Sequence, residues 1–246
     1  MFNRFSSAAM LRSRRFSDDI EIKYTPDEVP RKPKFEEFDI ASIADDTVIA
    51  VIGRRNSGKS TLVKDIIQSR YSHITEGIVC SGSEKSNPFY RMFMAPSIAF
   101  CQSLNEEHLT GFISNAKLTP KTPKIVVLDD LAFSNAQKNS RALKEIIFNG
   151  RHFGCTVILV SQTAVDLGSP SVRGNVDIVF LTRENLIPAI EAAYKFFFSV
   201  FPTLREFKTL VDENKKHPYR TIVANMASFG GITDMIKVYT AKFQNR

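Results

Sequence analysis

Gly53-Arg54-Arg55-Asn56-Ser57-Gly58-Lys59-Ser60 decides the reading of this 246-residue chain. It follows the apolar run Val48-Ile49-Ala50-Val51-Ile52 and leads into Thr61-Leu62-Val63-Lys64-Asp65-Ile66-Ile67. The order is buried strand, glycine-rich turn, then a helix expected over residues 58–70. The spacing G-x-x-x-x-G-K-S in that setting is a phosphate-binding P-loop. Gly53 and Gly58 let the backbone turn tightly enough for consecutive N–H groups, from Asn56 and Ser57 to Thr61, to face phosphate oxygens. The helix opening at Lys59 adds its positive end to the same place. Lys59 is expected to reach the β- and γ-phosphates and the Ser60 hydroxyl to bind Mg²⁺. A glycine turn without a ligand is the bland alternative. The motif in its strand-and-helix setting implies nucleoside triphosphate binding instead, with ATP and Mg²⁺ as cofactors.

Lys124-Ile125-Val126-Val127-Leu128-Asp129-Asp130 is a branched apolar run that ends in two acids. A buried strand of this kind delivers carboxylates to the C-terminal edge of an open sheet, where α/β proteins bind their ligands. Asp129 is expected there as a Walker-B acid holding Mg²⁺. Asp130 is expected to orient or deprotonate an attacking water. A helix cap is the other use of such a pair, and the upstream P-loop decides against it. Thr156-Val157-Ile158-Leu159-Val160 is a further apolar run, with Ser161-Gln162-Thr163 at its end. Beside the Walker-B strand, Gln162 would point toward the γ-phosphate and its water, to sense the one and position the other.

The remaining segments alternate. Gly77–Gly82 and Ile98–Cys101 read as strands, and Asn87-Pro88-Phe89-Tyr90 as a turn with exposed aromatics. Helical spacing marks Glu106–Lys117 and Asn135–Asn149, the latter closed by Gly150 in a C-terminal cap position. Val176–Leu181 is another strand, Leu186–Val200 and Thr203–Val211 are helices, and Tyr219–Ala224 and Ile236–Tyr239 are late strands at a sheet edge. This alternation predicts an α/β fold, a mostly parallel central sheet covered by helices on both faces.

Composition narrows the class. Apolar content of 43% and charged content of 24% describe a globular chain able to bury a core. A formal net charge of +7 favours a polyanionic partner. Cys80, Cys101 and Cys155 are too scattered for a disulfide framework or zinc site and read as reduced core residues. No apolar run approaches the 18 residues of a membrane span. Residues 1–17 carry Arg4, Arg12, Arg14 and Arg15 and no acid. They read as a basic arm, with a mitochondrial presequence as the minor alternative. Residues 1–45 are expected as arm and Pro-containing linker, with a short strand at Asp19–Tyr24, and residues 46–246 as the compact domain, beginning near Asp45.

With these residues in place, the chain resembles the genome-packaging ATPases of large DNA viruses, the poxvirus-type branch of the FtsK–HerA superfamily. The likeness rests on Gly53–Ser60, on Asp129-Asp130, on Gly150-Arg151-His152 and on Ser161-Gln162. Asn87-Pro88-Phe89-Tyr90 and Arg173-Gly174-Asn175-Val176-Asp177 agree more weakly. The likeness covers roughly residues 47–225 and leaves the first 45 outside. It implies a RecA-like ATPase working as a homo-oligomeric ring on double-stranded DNA, with capsid proteins as further partners. The location it implies is the virion or a viral assembly site in the host cytoplasm. Arg151 stands where the resemblance places a trans-acting arginine finger, with Arg173, Arg54 and Arg55 as rivals. Asp130 departs from the Glu of many relatives and would need its water closer, or a second water between them. DNA contacts are expected at phosphates, without sequence preference, from the basic arm, Lys85 and Lys138. A switch NTPase acting on a protein partner and a P-loop nucleotide kinase are the rival functions. The kinase leaves Gln162 and the acid pair unexplained.

Overall fold

A computed structural model describes residues 34–129 and 140–242. The arm over residues 1–33 with its expected strand, Asp130, Lys138 and the first part of the helix expected from Asn135 lie outside the described residues. The strands are β1 Val48–Ile52, β2 Glu76–Ser81, β3 Ala99–Cys101, β4 Lys124–Asp129, β5 Cys155–Ser161, β6 Ile178–Leu181, β7 Arg220–Asn225 and β8 Ile236–Thr240. The helices are α1 Lys59–Arg70, α2 Glu106–Leu118, α3 Arg141–Asn149, α4 Pro170–Arg173, α5 Ile187–Phe197, α6 Leu204–Asn214 and α7 Ile232–Met235.

One sheet takes all the described strands in the order β3-β2-β4-β5-β1-β6-β7-β8. Its members from β3 to β6 are parallel, and β7 and β8 add antiparallel neighbours. The apolar runs of β1, β4 and β5 are long enough to be buried on both faces, which fits a central place. Alternation then divides them. Val48, Ala50 and Ile52 join the core made by α2, α3, α5 and α6. Ile49 and Val51 join the core made by α1 and the segments before β1 and β3. Helices therefore cover both faces, as the sequence predicts.

Local chemistry sets the helix starts. Asn105 Oδ1 accepts from the N–H groups of Glu107 (2.8 Å) and His108 (3.4 Å) ahead of α2. Ser140 Oγ accepts from Leu143 N (3.0 Å) ahead of α3, and Thr203 Oγ1 from Glu206 N (3.2 Å) ahead of α6. Each satisfies an N–H that the helix itself cannot.

One sequence expectation is met in detail and two need correction. Gly150 caps α3 as expected, its N–H donating to Ile146 O, with a right-handed backbone from which a 3-10 turn continues through Phe153. The left-handed residue is Gly154, with φ 70°, where a Cβ would lie 2.8 Å from Thr122 O and 2.9 Å from Pro120 O. Tyr90 is not an exposed turn aromatic. It is buried, and Phe89 and Phe93 pack against it at ring separations of 5.0 and 5.9 Å. The packed chain also begins ahead of Asp45. Phe38, Ile40 and Ile43 are buried, and the Phe38 ring meets Phe180 edge-on at 5.7 Å. Residues 36–38 run along β8, with Phe38 N donating to Val238 O (2.6 Å) and Val238 N to Glu36 O (2.9 Å). Cys80 and Cys155 are buried free thiols, each pushed by burial up to about 12, and Cys101 is half-buried. Among the described residues no helix is long and apolar enough to cross a membrane.

Candidate nucleotide site

Parallel register brings the motif residues together. Ile52 of β1 stands opposite Ser161 of β5, and Asp129 of β4 opposite Val160. β5 therefore lies between the P-loop strand and the carboxylate strand. Two steps of about 4.8 Å put β1 and β4 roughly 10 Å apart, with Gln162 leaving the sheet between them. All three strands deliver their ends to one edge, beside the opening of α1.

The P-loop is held in shape from β6. Thr182 Oγ1 donates to Ile52 O (3.0 Å), which uses its one proton, so Ser57 Oγ donates to Thr182 Oγ1 (2.6 Å). Gly53 lies under this pair: a Cβ there would meet Thr182 Oγ1 at 1.8 Å and Ser57 Oγ at 2.7 Å. Gly58 has φ 96° and precedes α1 without a side-chain cap, and Asn56 also has positive φ, 62°. A glycine at that helix start keeps the opening N–H groups from being claimed by a side chain, as anion-binding helix termini require. Lys59 Nζ lies across the loop, donating to Gly53 O (2.5 Å) and Arg54 O (3.0 Å). Ser60 is exposed and Thr61 half-buried on the first turn.

Beside the loop is a recess of about 290 Å³ lined by Arg54, Asn56, Ser57, Arg183, Asn185 and Lys215. Its charged lining is entirely cationic, which suits a polyphosphate. Arg183 NH2 donates to Lys215 O (3.0 Å) and so ties the end of β6 to the segment after α6. Tyr219 in that segment has φ 59°, rare for a bulky residue. Its ring lies 3.8 Å from where a Cβ on Gly58 would stand.

Asp129 is half-buried, and its Oδ2 accepts from the Tyr90 hydroxyl (2.8 Å). Burial, then the neighbouring Asp129 charge, push the Tyr90 phenol well above its ordinary value, so it stays a donor. The residues fit Mg²⁺–nucleotide: a glycine cradle that a Cβ would fill, a hydroxyl at the helix start, and a carboxylate at the end of the strand beyond β5. One hydroxyl and one carboxylate are few ligands, as expected for an ion that also uses water and phosphate oxygens.

Arg151 lies elsewhere. It sits in the 3-10 turn ahead of β5, where its NH2 is 3.7 Å from Asp177 Oδ1, just before β6. Strands of this length place that edge roughly 20 Å from the P-loop. Arg173 is on the same far edge, with its guanidinium 4.1 Å from the Phe196 ring centre and a hydrogen bond to Gly168 O. Of the four arginines considered, only Arg54 and Arg55 are near this chain's own phosphate loop. Sequence reading missed Tyr90, Thr182, Arg183 and Tyr219. Thr182 and Arg183 carried a signal, because they follow the apolar run of β6 as Gln162 follows β5.

No family model matches the sequence. Over 161 residues the chain is 33% identical to uncharacterized protein 015R of Frog virus 3 (isolate Goorha), covering 63% of this chain and half of that protein. It is 27% identical over 204 residues to uncharacterized protein 088R of Invertebrate iridescent virus 3, covering 80% and 77%. The fold is similar to that of B204, the DNA-packaging ATPase from Sulfolobus Turreted Icosahedral Virus. The TM-score is 0.61 at 20% identity, over 82% of this chain and all of the other. B204 of Sulfolobus turreted icosahedral virus 2 in complex with ATP-gammaS gives a TM-score of 0.59 at 19% identity, over 80% and 98%. The chain thus shares the fold of viral genome-packaging ATPases, and its sequence relatives are proteins of large DNA viruses.

Proposed function

We propose that this chain is an ATP-hydrolysing motor that moves double-stranded DNA into a capsid during virus assembly. One observation carries the reading: β1, which leads through the P-loop to Lys59, and β4, which ends in Asp129, reach the same sheet edge separated only by β5, whose end delivers Gln162. The complex of B204 with ATP-gammaS supports ATP as the nucleotide. In this reading the P-loop N–H groups and Lys59 bind the phosphates. Ser60 and Asp129 would hold Mg²⁺, which neutralises phosphate charge when bound. Asp130 takes the proton of the attacking water, and Gln162 orients that water and responds to loss of the γ-phosphate. Arg151, remote from its own P-loop, acts on the nucleotide of a neighbouring copy, which makes a homo-oligomeric ring the working form. The basic arm and Lys85 contact DNA phosphates, so binding is independent of sequence. The site of action is the virion or a viral assembly site in the host cytoplasm.

The test is ATP hydrolysis by the purified chain with and without long double-stranded DNA, across a salt series. Stimulation that fades with rising salt and disappears in Asp130→Asn is the expected result. Hydrolysis indifferent to DNA in an assembled protein would transfer the reading to a switch on a protein partner.

A further inference from the structure

The connection from β2 to β3 holds two buried polar side chains that phosphate binding does not use. Glu84 is 3% exposed and Tyr90 is 1% exposed. Glu84 Oε2 accepts from the N–H groups of Phe89 (3.0 Å) and Tyr90 (3.1 Å), and its Oε1 from Arg91 N (3.0 Å). A carboxylate is expensive to bury, and three charge-assisted N–H bonds offset that cost. They also fix the turn that carries Tyr90. Around it the Phe89 and Phe93 rings stand 5.1 Å apart, with Lys64 of α1 over the Phe93 ring at 5.9 Å. The turn is therefore packed on the phosphate-binding helix while its tyrosine reaches the carboxylate strand. Tyr90 ends in the 2.8 Å hydrogen bond to Asp129 Oδ2.

We infer that Tyr90, seated by Glu84, is a positioning residue for the cation that accompanies the nucleotide: its hydroxyl fixes how the Asp129 carboxylate is presented. The inference rests on the reading of Asp129 as a ligand of that cation. A carboxylate ligand left free to rotate must lose that freedom each time the cation binds. A donor on one oxygen removes the cost beforehand, and losing such a partner lowers metal affinity or activity by about 10–100-fold. Buried, and anchored through its own backbone N–H, Tyr90 has little room to follow any other position of the strand end.

The experiment measures Mn²⁺ binding by electron paramagnetic resonance on the full chain in the presence of ATPγS. Metal-free ATPγS affinity is measured in parallel, in excess chelator. Tyr90→Phe keeps the ring and its packing. It is expected to raise the Mn²⁺ Kd about 10-fold or more and to leave metal-free ATPγS affinity within about twofold. Glu84→Gln keeps the acceptor oxygen of one arm and turns the other into a donor. It is expected to shift Mn²⁺ affinity in the same direction, and it decides by the same criterion should Tyr90→Phe not fold. An unchanged Mn²⁺ Kd in Tyr90→Phe, beside a raised one in Asp129→Asn, overturns the inference. So does a parallel loss of metal-free ATPγS affinity, the mark of general damage to the loop. An unchanged Mn²⁺ Kd in Asp129→Asn removes the underlying reading, and the inference with it.

Discussion

The two edges of the central sheet come from the same strands, yet their chemistry is opposite. At the edge where β1, β4, β5 and β6 end, the P-loop, Lys59, Arg54 and Arg183 gather around α1's N-terminus, and the recess lining contains no acid. At the edge where these strands begin, charges neutralise one another. Arg70 pairs with Asp45 at 2.9 Å and Arg151 approaches Asp177 at 3.7 Å. Asp177 Oδ2 also accepts from Val48 N (2.8 Å), closing the start of β1. The carboxyl of Asp46 there is raised, first by burial, with Arg151 opposing the shift. Strand ends that feed helix N-termini collect positive potential and N–H donors, whereas strand starts receive helix C-termini and need no ligand. One edge is built to take an anion from outside, and at the other the described acids and arginines lie within reach of one another.

Substitutions can break this contrast, the strongest first. Lys59→Ala is expected to abolish hydrolysis and weaken ATPγS binding by at least about 100-fold, measured by titration of a fluorescent nucleotide. Retained binding would mean that the cation-rich edge is not the phosphate site. Arg151→Ala on the far edge is expected to lower turnover by about 10³-fold, with ATPγS affinity of the isolated chain unchanged. Mixing the Lys59→Ala and Arg151→Ala chains, each inactive alone, should restore part of the hydrolysis. A mixture as inactive as its components would assign the finger elsewhere.

Gly53→Ala tests the cradle. The added methyl group would collide with Thr182 Oγ1, and the overpacking costs about 1–3 kcal/mol. ATPγS affinity should fall by up to about 5- to 150-fold, and the double substitution Gly53→Ala with Thr182→Ser should recover little, because the clashing oxygen remains.

The smallest effect concerns folding alone. Glu106 Oε1 accepts from Ala142 N (2.9 Å) and Oε2 from Ser140 Oγ, so the start of α2 caps α3. The Ser140 hydrogen bond, then that of Ala142 N, hold the Glu106 carboxyl below its ordinary value. A depressed folded value stabilises fully above the ordinary glutamate range and is lost as pH falls through the folded value. Glu106→Gln should therefore lower the melting temperature by about 2–4 °C at neutral pH and progressively less in acid, followed by circular dichroism. A difference that grows in acid would contradict the assignment.

Much of the near edge was legible because backbone geometry imposes it on the sequence. Gly53 and Gly58 are required by contact and by φ, and the apolar runs before Asp129 and Gln162 mark buried parallel strands. Arg151 was read correctly as following a helix end, but which edge that end occupies depends on topology. A chain that leaves β4 at one edge and re-enters the parallel strand β5 must first return to the other. Tyr90 was misjudged because Asn-Pro-Phe-Tyr carries a turn signal, and its burial comes from Glu84 and two phenylalanines that no local pattern connects to it. Gly150 and Gly154 both follow α3, and the left-handed second one also lies too close to the carbonyls of Pro120 and Thr122 for a Cβ, contacts that no local pattern shows. Asp130 was reached from sequence alone and lies outside the described residues.

The strip of chain along β8 has a consequence for how copies can meet. Residues 36–38 occupy part of that strand's outer hydrogen-bonding groups, and Glu37 Oε1 takes Thr240 N at 2.7 Å. At the opposite margin β3 is only three residues long. Among the described residues neither margin offers a long ladder to another copy, so the sheet is poorly suited to grow by strand addition. An assembly built on these described surfaces would then be held by side chains. Such contacts can be released and remade one at a time at little cost, whereas a shared β-ladder would weld subunits together. For the motor proposed above, whose subunits would shift against one another at every turnover, separable seams are the useful kind.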